Sequence, residues 1–125
     1  ILNEDLVRVE GLAISPDGKR LVAAEPDASR IVVFDIPEEL EPVTSWTLVD
    51  FSPSGVEPKG IVFDEEGRLF VALGNREEIR VFDLAKGEEL VVYNAGGVAE
   101  SITYRDGSLF ISGGDRIRRM RLRAK

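Results

Sequence analysis

The chain has 125 residues with neither cysteine nor histidine, which excludes disulfides, thiolate metal sites, cysteine nucleophiles and every mechanism that needs an imidazole. Sixteen Lys and Arg against 23 Asp and Glu give a formal net charge of −7. So acidic a chain lacks the phosphate-neutralising surface that carries nonspecific nucleic-acid binding, and no nucleic-acid partner is expected.

In chain order, the first strand-like run is Asp5-Leu6-Val7-Arg8. A repeat follows three times. Its first copy runs Glu10-Gly11-Leu12-Ala13-Ile14-Ser15-Pro16-Asp17-Gly18, then Arg20-Leu21-Val22-Ala23-Ala24 and Arg30-Ile31-Val32-Val33-Phe34-Asp35. The second runs Lys59-Gly60-Ile61-Val62-Phe63-Asp64, Arg68-Leu69-Phe70-Val71-Ala72 and Glu78-Ile79-Arg80-Val81-Phe82-Asp83. The third runs Glu100-Ser101-Ile102-Thr103-Tyr104, Ser108-Leu109-Phe110-Ile111-Ser112 and Arg116-Ile117-Arg118-Arg119-Met120. Leu21 and Leu69 are 48 residues apart, and Leu69 and Leu109 are 40 apart. That spacing is the period of propeller blades.

Each copy reads as strands joined by tight turns. Asp17-Gly18, Glu66-Gly67 and Asp106-Gly107 are hairpin signals between β-branched and aromatic runs. Val43–Val49 and Glu89–Tyr93 supply a fourth strand to the first two copies. The third copy has no such successor, so the lone N-terminal strand is expected to complete it, with Glu4 and Asp5 beside the basic C-terminal strand. Pro37-Glu38-Glu39-Leu40 is expected to form a turn or one helical turn, with almost no other helix. The expected fold is all-β: a β-propeller unit over 1–125, with a closing strand at 1–8 and blades at 9–50, 56–95 and 98–125. No apolar run approaches the ~20 residues of a membrane-spanning helix. The residues show no signal-peptide pattern and fix no compartment. An opening at Ile1 is expected of a processed, tag-cleaved or excised chain.

The repeats resemble those of known propellers over nearly the whole chain. Lys59-Gly60-Ile61-Val62-Phe63-Asp64 through Ile79-Arg80-Val81-Phe82-Asp83 is similar to an NHL repeat, departing at Leu73, where that family usually has aspartate. Gly11 through Lys19 resembles the YVTN and surface-layer repeat. The tryptophan–aspartate signature of WD40 repeats is missing, since Trp46 precedes Thr47.

Propellers of one chain typically have about four to eight blades. Three blades leave two apolar blade faces uncovered, so two chains joined head to tail into a six-bladed ring are expected, a homodimer. The expected assembly residues are Leu6 and Val7 in the N-terminal strand and Ile117, Met120 and Leu122 in the C-terminal strand.

Ligands of propellers gather at the channel mouth, by the start of each innermost strand. The related positions here are Glu10, Lys59 and Glu100, a polar ring that either neutralises itself through ion pairs or holds a cation. Glu10 and Glu100 are the candidate metal ligands, for calcium or another divalent cation, because hard cations take several oxygens. Glu25, Asp27, Asn75 and Asp115 fall in related loops as a second polar group, expected to be mostly solvated. Asp35 and Asp83 close matching strands as turn residues.

Two function classes follow. The first is a noncatalytic self-assembling or binding scaffold, cofactor-free, taking a protein or small molecule at the channel mouth, either as a half-propeller or as an interaction fragment of a larger propeller. The second is hydrolytic. Glu10-Gly11-Leu12 resembles the glutamate–glycine start of the gluconolactonase and regucalcin-like six-bladed hydrolases, whose glutamate binds a divalent metal. That resemblance implies a metal-dependent lactonase with Glu10 as a ligand. The family takes further asparagine and aspartate ligands from other blades, motifs that Lys59-Gly60 and Glu100-Ser101 do not match.

Overall fold

The computed structural model describes residues 8–37, 44–51 and 54–122. Leu6 and Val7, the expected closing strand up to Val7 and most of the Pro37–Leu40 turn lie outside the described residues. Among those described, the first sheet pairs β1 (Gly11–Ile14), β2 (Arg20–Glu25), β3 (Arg30–Asp35) and β4 (Thr44–Asp50) in that order. The second pairs β5 (Pro58–Phe63), β6 (Arg68–Leu73), β7 (Glu78–Asp83) and β8 (Glu88–Asn94) in that order. The third holds β9 (Ser101–Arg105), β10 (Ser108–Gly113) and β11 (Arg116–Arg121), again in chain order from one edge to the other. All pairings are antiparallel. A single 3-10 turn, Pro26–Ala28, interrupts the described strands. These are β-propeller blades.

The tight turns follow from their residues. Asp106 and Gly107, at φ 49° and 79°, link Arg105 to its pairing partner Ser108 as a two-residue hairpin. The turn after β1 is held by Asp17, whose Oδ1 accepts from the Ser15 hydroxyl at 2.6 Å and from the Lys19 amide at 2.9 Å. Those two bonds, the Ser15 one foremost, hold the Asp17 carboxyl below the usual carboxylate value. The second blade uses Asp64 at the related turn. Its Oδ1 accepts from the Glu66 and Arg68 amides at 3.0 and 2.9 Å, and its buried Oδ2 accepts from Arg68 Nε at 2.6 Å. Burial works against the Arg68 cation, but the Asp64 hydrogen bond and charge outweigh it and raise the guanidinium above its ordinary value.

The middle strands of the first two blades are largely apolar and buried on both faces. Val22, Ala24, Ile31 and Val33 of the first blade pack with Ile61, Phe63, Val71 and Phe82 of the second. Phe70, Ala72, Ile79 and Val81 on the far side of the second blade pack with Ile102, Leu109 and Ile111 of the third. Phe70 and Tyr104 stack across that joint with ring centroids 6.4 Å apart. The outermost strands β4 and β8 are mostly exposed.

Polar side chains pin the connections between blades. Asn75 Oδ1 accepts from the Glu57 amide at 3.0 Å while its Nδ2 donates to the Gly55 carbonyl at 3.1 Å. Arg118 donates to the carbonyls of Ala95 and Val98 at 3.0 and 2.7 Å. Both contacts fix where the next innermost strand begins.

Candidate functional site at the start of the innermost strands

The innermost strands β1, β5 and β9 lie side by side, and small residues set their spacing. A Cβ on Gly11 would collide with the Lys59 carbonyl oxygen. A Cβ on Gly60 would lie 2.9 Å from the Glu100 carbonyl oxygen and 2.8 Å from Ser101 Cα. The backbones of Glu10, Lys59 and Glu100 are thereby brought into one row, as the repeat register predicts. Glu10 and Glu100 are held at its ends by their amides, which donate to the Ala24 and Ser112 carbonyls at 3.1 and 2.9 Å. The β5–β6 register shifts between Pro58 and Ile61, the stretch that carries Lys59.

The side chains leave the row in three different directions. Glu10 Oε1 pairs with Arg8 Nη2 at 3.0 Å, and the same nitrogen reaches Asp27 Oδ1 at 3.2 Å. One guanidinium therefore bridges two carboxylates on the first blade. The Lys59 side chain lies along Gly74, where an added Cβ would meet Lys59 Cδ at 2.9 Å. Glu100 is exposed and lines a shallow cleft of about 260 Å³ with Ser112, Asp115 and Arg116. Among the described residues no ion pair joins Lys59 to Glu10 or Glu100, and no three Asp or Glu side chains gather into a metal-binding group.

The second polar group divides. Glu25 ends β2 and is fully buried, with Arg30 Nε donating to its Oε2 and Arg30 Nη2 to its Oε1. That hydrogen bond raises the Arg30 guanidinium above its ordinary value. Asp27 belongs to the Arg8 bridge, Asn75 to the connection before β5, and Asp115 stands exposed with Arg116 at 4.0 Å. Sequence reading missed Arg8. Its signal is spacing, since residues two apart in extended chain share a face.

Of the two expected turn residues, Asp83 acts as one, whereas Asp35 makes cross-strand side-chain contacts. Asp83 Oδ1 accepts from the Lys86 amide at 3.2 Å, and Asp35 pairs with Arg20 across β2 and β3 at 3.2 Å. Of the C-terminal residues, Met120 and Leu122 pack against the core between the second and third blades, whereas Ile117 is 81% exposed on the opposite face. They do not form one surface.

Comparison with known proteins bears on what this row does. The region model described as SMP-30/Gluconolactonase/LRE-like matches residues 1–111. A gluconolactonase of Xanthomonas campestris is 25% identical, with a TM-score of 0.76 over 96% of this chain and 39% of its own. Regucalcin of Agrobacterium tumefaciens, a calcium-binding protein, is 16% identical, with a TM-score of 0.76 over 91% of this chain and 40% of its own. A luciferin-regenerating enzyme is 21% identical, with a TM-score of 0.75 over 87% of this chain and 38% of its own. The chain thus spans about two fifths of the length of these structures. With residues 1–111 matched, the chain belongs to the SMP-30/gluconolactonase/LRE-like family.

Proposed function

We propose that this chain is part of a metal-dependent lactone hydrolase of the propeller type, with Glu10 as its contribution to the metal site. The observation that carries the reading is the place of Glu10: within the family-matched region, immediately ahead of β1, in a Glu10-Gly11 pair resembling the metal-binding start of those hydrolases. The family match favours this reading over a scaffold without catalysis.

Glu10 suits a hard cation as a single oxygen ligand. The donor set is incomplete among the described residues, so the other ligands are assigned to blades beyond these three. A divalent ion bound there would polarise a lactone carbonyl and lower the pKa of a bound water. The chain's own share is positional. Gly11 and Gly60 bring the strand starts together, the Ala24 carbonyl holds the Glu10 backbone, and Arg8 orients the carboxylate and must yield it to an incoming cation.

Calorimetric titration of the assembled propeller, these three blades together with those that supply the other ligands, with calcium and with manganese, paired with hydrolysis of a simple lactone, tests this. Binding and turnover in the wild type, with affinity falling at least about tenfold in Glu10→Gln, are the expected result. No heat and no hydrolysis in the wild type would overturn it.

A further inference from the structure

Arg8 has no counterpart in the other two repeats. It stands two residues ahead of Glu10, whereas Glu57 stands two ahead of Lys59 and Val98 two ahead of Glu100. Only the repeat that opens with Glu10-Gly11 places a cation there. Its Nη2 lies 3.0 Å from Glu10 Oε1 and 3.2 Å from Asp27 Oδ1, so one guanidinium nitrogen serves both carboxylates.

The two carboxylates differ from Arg8 in how their backbones are fixed. Asp27 sits in the 3-10 turn Pro26–Ala28, which opens on a buried proline of restricted φ and is closed by the Ser29 amide on the Pro26 carbonyl at 3.1 Å. The Glu10 amide is tied to the Ala24 carbonyl at 3.1 Å. Both therefore stand on backbone set by β2, and Arg8 spans them with the longest side chain of the three. The first blade also shows what a committed pair looks like: Glu25 is fully buried and takes two hydrogen bonds from Arg30. The Arg8 bridge is open by contrast. Its side chains are 53% exposed for Arg8, 37% for Glu10 and 47% for Asp27, and ion pairs so accessible to water are weak.

We infer that Arg8 is an exchangeable counter-ion of Glu10, and that Asp27 keeps hold of it during the exchange. When Glu10 takes up a divalent cation, Arg8 gives up Glu10 and remains on Asp27. The inference rests on the reading of Glu10 given above. Before the exchange Arg8 cancels the Glu10 charge and competes for it. Afterwards a guanidinium left beside a divalent cation would repel it, and Asp27 draws that charge aside and neutralises it. Arg8 and Asp27 are thus positioning residues: they set how tightly Glu10 holds the cation while neither is its ligand.

Calorimetric titration of the assembled propeller with calcium chloride tests this in the wild type, Arg8→Gln, Asp27→Asn and the double variant. Arg8→Gln is expected to bind calcium about three- to fivefold more tightly, because the competitor is gone. Asp27→Asn is expected to bind it more weakly by about the same factor, since Arg8 then has Glu10 alone. In the double variant the Asp27 change is expected to add nothing to Arg8→Gln. The Arg8 Nε–H resonance in a nitrogen-correlated NMR spectrum is expected to move, on addition of calcium, toward its position in Glu10→Gln. An Arg8→Gln affinity equal to the wild type's, an Asp27 effect that persists without Arg8, or an Arg8 resonance unmoved by bound calcium would overturn the inference and leave Glu10 as a ligand. Absence of calcium binding in the wild type would overturn the reading of Glu10 and this inference with it.

Discussion

Gly60 lies against the backbone of Glu100 so closely that a Cβ at position 60 would come within 2.9 Å of the Glu100 carbonyl oxygen. The neighbours are backbone and cannot swing aside. Gly60→Ala is therefore expected to push β5 from β9 and lower unfolding stability by about 1–3 kcal/mol, read from the urea midpoint at unchanged m-value. An unchanged midpoint would show that the strand starts are not in contact.

The Asp64–Arg68 pair locks the turn after β5. Asp64→Ala removes a buried carboxylate that accepts from two amides and a guanidinium, and leaves those donors without it. Arg68 retains some access to water, which reduces the cost, so a loss of about 2–4 kcal/mol is expected in chemical denaturation. Asp64→Asn should lose less, because it keeps one acceptor oxygen at the same place.

Asp17 links the first turn to pH. Its folded carboxyl titrates below its ordinary value, with the Ser15 hydroxyl the main cause. The folded state therefore binds this proton less readily than the unfolded chain does. The stabilisation is present above the unfolded carboxylate value and is lost as pH falls through the depressed folded one. Between about pH 5 and pH 2, Ser15→Ala should flatten part of the decline in melting temperature seen in the wild type. Identical acid profiles for the two chains would remove Ser15 from the account.

Arg118 ties the third blade to the end of the second. Arg118→Ala deletes two donors to the Ala95 and Val98 carbonyls. Amide exchange in β9 and β10 is expected to quicken, while β1 and β2 of the first blade keep their protection. A uniform change across all three blades would mean that the connection is not a local clamp.

The architecture was legible in the sequence because three signals coincide: the period, the Asp-Gly or Glu-Gly turns, and the β-branched and aromatic runs between them. The fourth strands β4 and β8 could be found from their place in the repeat even though they are largely exposed. The row of Glu10, Lys59 and Glu100 was equally legible, since repeat register fixes backbone position. Side-chain direction was not. Glu10 turns to Arg8 and Lys59 lies along Gly74, choices set by neighbours that only the folded sheet supplies. Ile117, Met120 and Leu122 were grouped by proximity in sequence. Strand alternation divides them, because 117 differs in parity from 120 and 122. Glu25 reads as a loop carboxylate and is instead buried, since Arg30 lies directly across the β2–β3 pairing.

That Glu10 holds a divalent cation ahead of β1 is most directly tested by calorimetric titration of the assembled propeller with calcium, wild type beside Glu10→Gln. Binding in the wild type, with an affinity at least about tenfold weaker in Glu10→Gln, is the predicted result. Equal affinity in the two proteins would contradict it.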